Sequence, residues 1–150
     1  MTKLWQRIIA AAEVVGGTLA LISILFAAKA GAGKAAIVIG AGLDLFVIAA
    51  GVTLWLRPRV GTLLSEVAFG LQAVQVFSAW LVWQYVAGMA LLVQVVGGEM
   101  RWSGGLLVRH SFSQDGGGSG VGVNLMAVAA LTFLVVSQRR KQSLRRRGSA

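Results

Sequence analysis

The stretch GTLLSEVAFGLQAVQVFSAWLVWQYVAGMALLVQVV, residues 61–96, decides how this chain is read, because it holds a single charged side chain, Glu66, among 36 residues. As one helix it would reach about 54 Å, well past a hydrocarbon core of roughly 30 Å. Two readings accommodate the excess. With Arg59 at the inner interface, Trp80, Trp83 and Tyr85 fall about 20 residues further on, where an outer aromatic belt belongs, and residues 86–96 emerge as an apolar helical extension or a strand. With the helix beginning near Ala68, the tryptophans lie at mid-membrane and residues 61–67 run along the inner surface. Either way the segment predicts a transmembrane helix.

Working outward from it, two further runs are long enough to span, at about 8–28 and 35–56, and a shorter one follows at 121–137. Hydrophobic residues make up 57% of the 150 and charged residues 13%, and the mean hydropathy is +0.77. That is more apolar surface than a water-soluble fold of this length can bury. The expectation is therefore an all-α integral membrane protein of four transmembrane helices in one membrane domain. Backbone groups in lipid are satisfied within each helix.

Orientation follows from the basic residues. Alternating the loops puts ten of the 14 on the side of both termini and of the Arg57-Pro58-Arg59 turn, and four on the other. Positive charge stays inside, so both termini are expected in the cytoplasm of a cell (inner) membrane and the long 97–120 loop outside. A signal peptide is the competing reading of the first run. Its apolar core is longer than the usual 7 to 15 residues and carries Glu13, which argues against cleavage. Within the outer loop, Met100, Trp102, Leu106 and Val108 alternate with polar or small neighbours around Gly104-Gly105, the pattern of a small β-hairpin. A flexible connector, Asp115 to Gly120, follows. Trp102, Leu106, Val108 and Phe112 make this loop a candidate partner-binding surface. A net charge of +9 would suggest nucleic acid in a soluble protein, but Arg139, Arg140, Lys141, Arg145, Arg146 and Arg147 directly follow an apolar run and suit anionic lipid headgroups, so no nucleic acid is expected.

Chemistry-bearing residues are few. With no cysteine and one histidine, thiolate and multi-imidazole metal sites are excluded, and no cofactor or catalytic constellation is expected. His110 reads as an exposed loop residue. Carboxylates inside apolar spans cost at least about 2.5 kcal/mol each, so Glu13, Asp44 and Glu66 need a reason. Glu13 and Glu66 fall about 7 Å from the inner edge, within reach of Arg7, Arg57 or Arg59 in a structural clamp. Asp44 falls about 18 Å in, where it serves either as a proton or cation site or as a neutral acid bonded to Gln72 or Gln75. Gln72, Gln75 and Gln94 share a helical face, and such stripes glue helices together.

Small residues at every fourth position, Ala12, Gly16 and Ala20, then Ala36 and Gly40, predict close backbone contact. Ala12-Glu13-Val14-Val15-Gly16-Gly17-Thr18-Leu19 resembles the first-helix signature of the small multidrug resistance transporters. That resemblance covers eight residues and implies a glutamate, Glu13, that exchanges protons for cationic drugs. The chain departs from that family in its extended third run, long outer loop and basic tail. The expected function is a non-enzymatic multi-pass subunit or scaffold that packs as a homo-oligomer or in a larger membrane complex. A proton- or cation-coupled transporter using Glu13 or Asp44 is the alternative.

Overall fold

The computed structural model describes residues 3–78, 82–113 and 119–147. Trp80, residues 114–118 and the side chains of His110, Phe112, Arg140, Lys141, Arg145, Arg146 and Arg147 lie outside that description. The chain runs α1 (Lys3–Lys29), α2 (Lys34–Leu56), α3 (Pro58–Ala73), β1 (Val74–Phe77), β2 (Val82–Val96), β3 (Glu99–Ser113), β4 (Gly120–Asn124) and α4 (Leu125–Arg147).

This overturns the expected all-α fold of four transmembrane helices. Two helices, α1 and α2, are long and apolar enough to cross a membrane. The deciding stretch splits into most of α3, β1 and all of β2, and the run at 121–137 begins within strand β4. The physical reason lies in β2. Its residues are buried on one face throughout and on both faces from Gln84 to Gly88, so the apolar alternation that marks a half-buried strand is lost.

Helix ends follow local chemistry. Gly31, at φ +86°, closes α1 with the paired bonds Ala32 N–H to Ala27 O and Gly31 N–H to Ala28 O, at 3.0 and 3.2 Å, a left-handed cap that glycine adopts without strain. Pro58 opens α3 at its first position, where a missing N–H costs nothing. One residue separates α2 from α3, and a Cβ on Gly61 would collide with the backbone of Leu54. α1 and α2 also pack backbone to backbone: a Cβ on Gly51 would come within 2.7 Å of Ala10 O, and one on Gly17 within 3.0 Å of Asp44 O.

The sheet is antiparallel, in the order β1-β4-β2-β3, with a further β1–β2 pairing. β2 bends at Gly88, whose φ is +108°. Its first residues pair with β1 and its last five with β4. The β2–β3 hairpin turns at Gly97-Gly98, both at positive φ, the two-residue turn that glycine pairs favour. The hairpin expected around Gly104-Gly105 is thus displaced: those glycines sit within β3, opposite Leu91 and Ala90.

Close backbone contact, expected between helices, occurs on α1 against both neighbours. Gly17 faces α2, while Gly16 meets the bend of β2, where a Cβ would lie 2.7 Å from Ala87 O and 2.9 Å from Gly88 Cα. The main apolar core forms where these elements cross and contains Ala20, Val47, Ala50, Ala68, Tyr85 and Ala87.

Candidate functional site

The three carboxylates singled out in the sequence fare differently. Glu13 is 2% exposed, and its Oε2 accepts the Ser65 hydroxyl of α3 at 2.8 Å. Its Oε1 is buried with no hydrogen-bond partner. Glu66, the next residue on α3, is half-buried, and its Oε1 has no hydrogen-bond partner either. The expected arginine clamp is not formed among the described residues: Arg7 lies over the Trp55 ring, 5.6 Å from its centroid, and the ion pair found is Arg101–Glu99 at 2.6 Å. Arg101 holds the exposed Glu99 carboxyl below its ordinary pKa. That attraction is present above the ordinary carboxylate pKa and fades as pH falls through the lowered one, and at the surface it is screened by salt.

Asp44 is fully buried. Its Oδ1 accepts the hydroxyl of Tyr85, itself fully buried, at 3.1 Å, so its partner lies on β2 and not at the expected Gln72 or Gln75. The carboxyl–phenol contact ties α2 to β2. Tyr85→Phe removes the donor and is expected to cost about 1–3 kcal/mol, read as a lowered midpoint of thermal unfolding in detergent.

The glutamines do not join helix to helix as expected but bond β1 to β2 and α3 to β2. Gln75 Oε1, on β1, accepts the side-chain amides of Gln84 and Gln94 on β2, at 3.4 and 2.5 Å, so the shared helical face proposed for Gln72, Gln75 and Gln94 does not exist. Gln72 stays on α3, where its Oε1 accepts Ala87 N–H at 3.0 Å. Sequence reasoning missed Ser65, Tyr85 and Asn124. Asn124 was legible as an Asn directly before an apolar run, the signature of a helix N-cap. Its Oδ1 accepts the N–H groups of Met126 and Ala127 at 3.2 and 3.4 Å, and that of Leu91 at 3.4 Å.

Between α1, α3, α4 and β2 lies an apolar cavity of about 340 Å³ whose wall includes Glu13, Gln72 and Asn124. The candidate partner-binding residues sit elsewhere. Trp102 and Leu106 are exposed on β3, at 79% and 62%, while Val108 packs against the main core. Arg139 is exposed near the end of α4. Among the described residues no group of three His, Asp or Glu side chains is placed to hold a metal. Comparison with protein-family models, curated proteins and solved structures returns no match for this chain.

Proposed function

We propose that the chain is a non-enzymatic membrane subunit that assembles with a second copy of itself, with the α1–α2 hairpin in the bilayer and the edge of β3 at the interface between copies. The observation that carries this reading is the large apolar exterior of α1 and α2. Besides Ile9, Ile24, Val47 and Leu54, their inward residues are small or acidic, Ala10, Glu13, Gly16, Gly17, Ala20, Gly40, Asp44, Ala50 and Gly51, while Val15, Ile22, Leu25, Phe26, Val38, Leu45, Val52 and Trp55 face outward. Water penalises an apolar exterior of this extent, and lipid does not.

The edge of β3 supports the choice of partner. β3 pairs only with β2 among the described strands and packs beside α1 and α2, so its outer N–H and C=O groups lie near the depth of the two spans. Lipid cannot satisfy an open edge. A second copy brings the same edge to the same depth, and antiparallel pairing of the two closes both. Exposed Met100, Trp102 and Leu106 would be covered at that seam. The basic end of α4 suits anionic headgroups on the cytoplasmic face of an inner membrane, with both termini on that side.

The absence of cysteine makes the test direct. In native membranes, single cysteines introduced by Trp102→Cys and Leu106→Cys are expected to give dimers with a short bismaleimide, and Val38→Cys on the outer face of α2 is expected to stay monomeric. Monomers from every position, or recovery of the chain in the supernatant after detergent-free ultracentrifugation, would defeat the proposal.

A further inference from the structure

We infer that the cavity between α1, α3, α4 and β2 is a binding site for a neutral, lipid-soluble carbonyl compound, a ketone or an ester, whose oxygen accepts the side-chain amide of Asn124. The volume, about 340 Å³, falls in the range of roughly 300–1,000 Å³ typical of small-molecule sites. Trp5, Phe69 and Phe133 contribute rings to its wall. Trp5 and Phe133 meet edge to face, 6.0 Å between centroids, which fixes part of its shape.

The chemistry of the ligand follows from one donor. Asn124 is 1% exposed and lines the cavity. Its Oδ1 is committed to the N–H groups of Leu91, Met126 and Ala127, which settles the amide orientation. Nδ2 is left buried with no hydrogen-bond partner. Unsatisfied buried polar groups are rare enough to require a cause. An amide N–H calls for an acceptor, and against an apolar wall an uncharged carbonyl oxygen brings far less desolvation cost than an anion. A fatty-acid carboxylate fits worse for a second reason. Glu13 lines the same cavity and no described lining residue is basic, so a second acid would enter with nothing to neutralise it. A ketone or ester supplies the acceptor without a charge, and its apolar body fills the remaining space.

The route in is apolar too. Ile8, Met89 and Met126 line the cavity and are themselves exposed, so a molecule dissolved in the bilayer reaches it without crossing water. No β3 residue lines the cavity, and the site therefore does not depend on how copies of the chain associate.

Equilibrium dialysis of 1-acetonaphthone against the full chain in dodecyl maltoside, a detergent without a carbonyl group, tests it. 1-Ethylnaphthalene serves as the shape-matched hydrocarbon and empty micelles as the blank. The ketone is expected to bind saturably and about tenfold more tightly than the hydrocarbon, the worth of one hydrogen bond. Asn124→Asp keeps the oxygen that caps α4, since aspartate caps a helix as well as asparagine does, but puts an acceptor where the donor was. It is expected to weaken the ketone about tenfold and to leave the hydrocarbon within about twofold. Ala130→Trp fills the cavity with Asn124 intact and should lose both ligands. Displacement of the ketone by monoolein would identify a lipid ester as the source of the carbonyl, and its retention a smaller free compound. Equal affinity of the unaltered chain for ketone and hydrocarbon, unchanged ketone affinity in Asn124→Asp, or full retention by Ala130→Trp would each overturn the assignment. Far-UV circular dichroism establishes that each variant is folded, and if Asn124→Asp is not, the ketone-to-hydrocarbon ratio of the unaltered chain and Ala130→Trp decide.

Discussion

Replacing Gly16 by leucine is expected to lower the thermal midpoint of the detergent-solubilised chain by roughly 10 °C, while Gly42→Leu moves it by no more than about 2 °C. Both glycines sit on long apolar helices, and both substitutions make the sequence more hydrophobic. They differ in what a side chain would meet. At Gly42 nothing lies within 4 Å, whereas at Gly16 the obstacle is the backbone of Ala87 and Gly88. Backbone cannot rotate aside as a flexible side chain does, so accommodating even the first carbon requires β2 to lift from α1. That movement would separate Tyr85 from Asp44 and Gln72 from Ala87 N–H, adding lost hydrogen bonds to the overpacking cost of about 1–3 kcal/mol. Equal midpoints for the two variants would show that the strand does not ride on the helix at this point.

Asn124→Leu is the second substitution of large effect, expected to cost about 2–4 kcal/mol. One side-chain oxygen serves the first turn of α4 and the Leu91 N–H of β2, so the mutation uncaps a helix and strands a part-buried donor together. Asn124→Ser separates the two roles. Serine caps a helix as well as asparagine does but is too short to reach Leu91, so about half of the loss should return. Chemical denaturation of the three proteins, at matched detergent, reads the ladder directly. Identical stabilities for the serine and leucine variants would eliminate the capping role.

Legibility in the sequence followed the kind of periodicity each element leaves. The spans at 8–28 and 35–56 were readable because length and apolarity alone set them, and they lie within α1 and α2. The stretch from Val74 to Val96 was not. β2 is covered on both faces from Gln84 to Gly88 and keeps apolar residues, Met89, Leu91 and Val95, on its exposed face beyond, so its apolarity is as continuous as that of a buried helix. A signal was nevertheless present. Gly97-Gly98 between Val95-Val96 and Met100 is a two-residue turn flanked by strand formers, and Val74-Gln75-Val76 alternates before Phe77. The helical repeat put Gln72, Gln75 and Gln94 on one face, whereas Gln75 of β1 and Gln94 of β2 each pair with Gly122 of β4 and meet across it. For the candidate site, Glu13 and Asp44 announced themselves by their cost in an apolar run. Their partners, Ser65 and Tyr85, left no such mark, because a hydroxyl in an apolar stretch is common and its target is set by tertiary packing.

The reach of those two contacts has a bearing on biogenesis. Glu13 waits for a residue 52 positions later and Asp44 for one 41 positions later. At roughly 5–20 residues per second, each acid of the nascent hairpin spends about 2–10 s before its partner is made. A translocon or chaperone that shelters acidic hairpins would therefore act on this chain early, and the ribosome's pace through residues 58–85 would govern how long that shelter is needed.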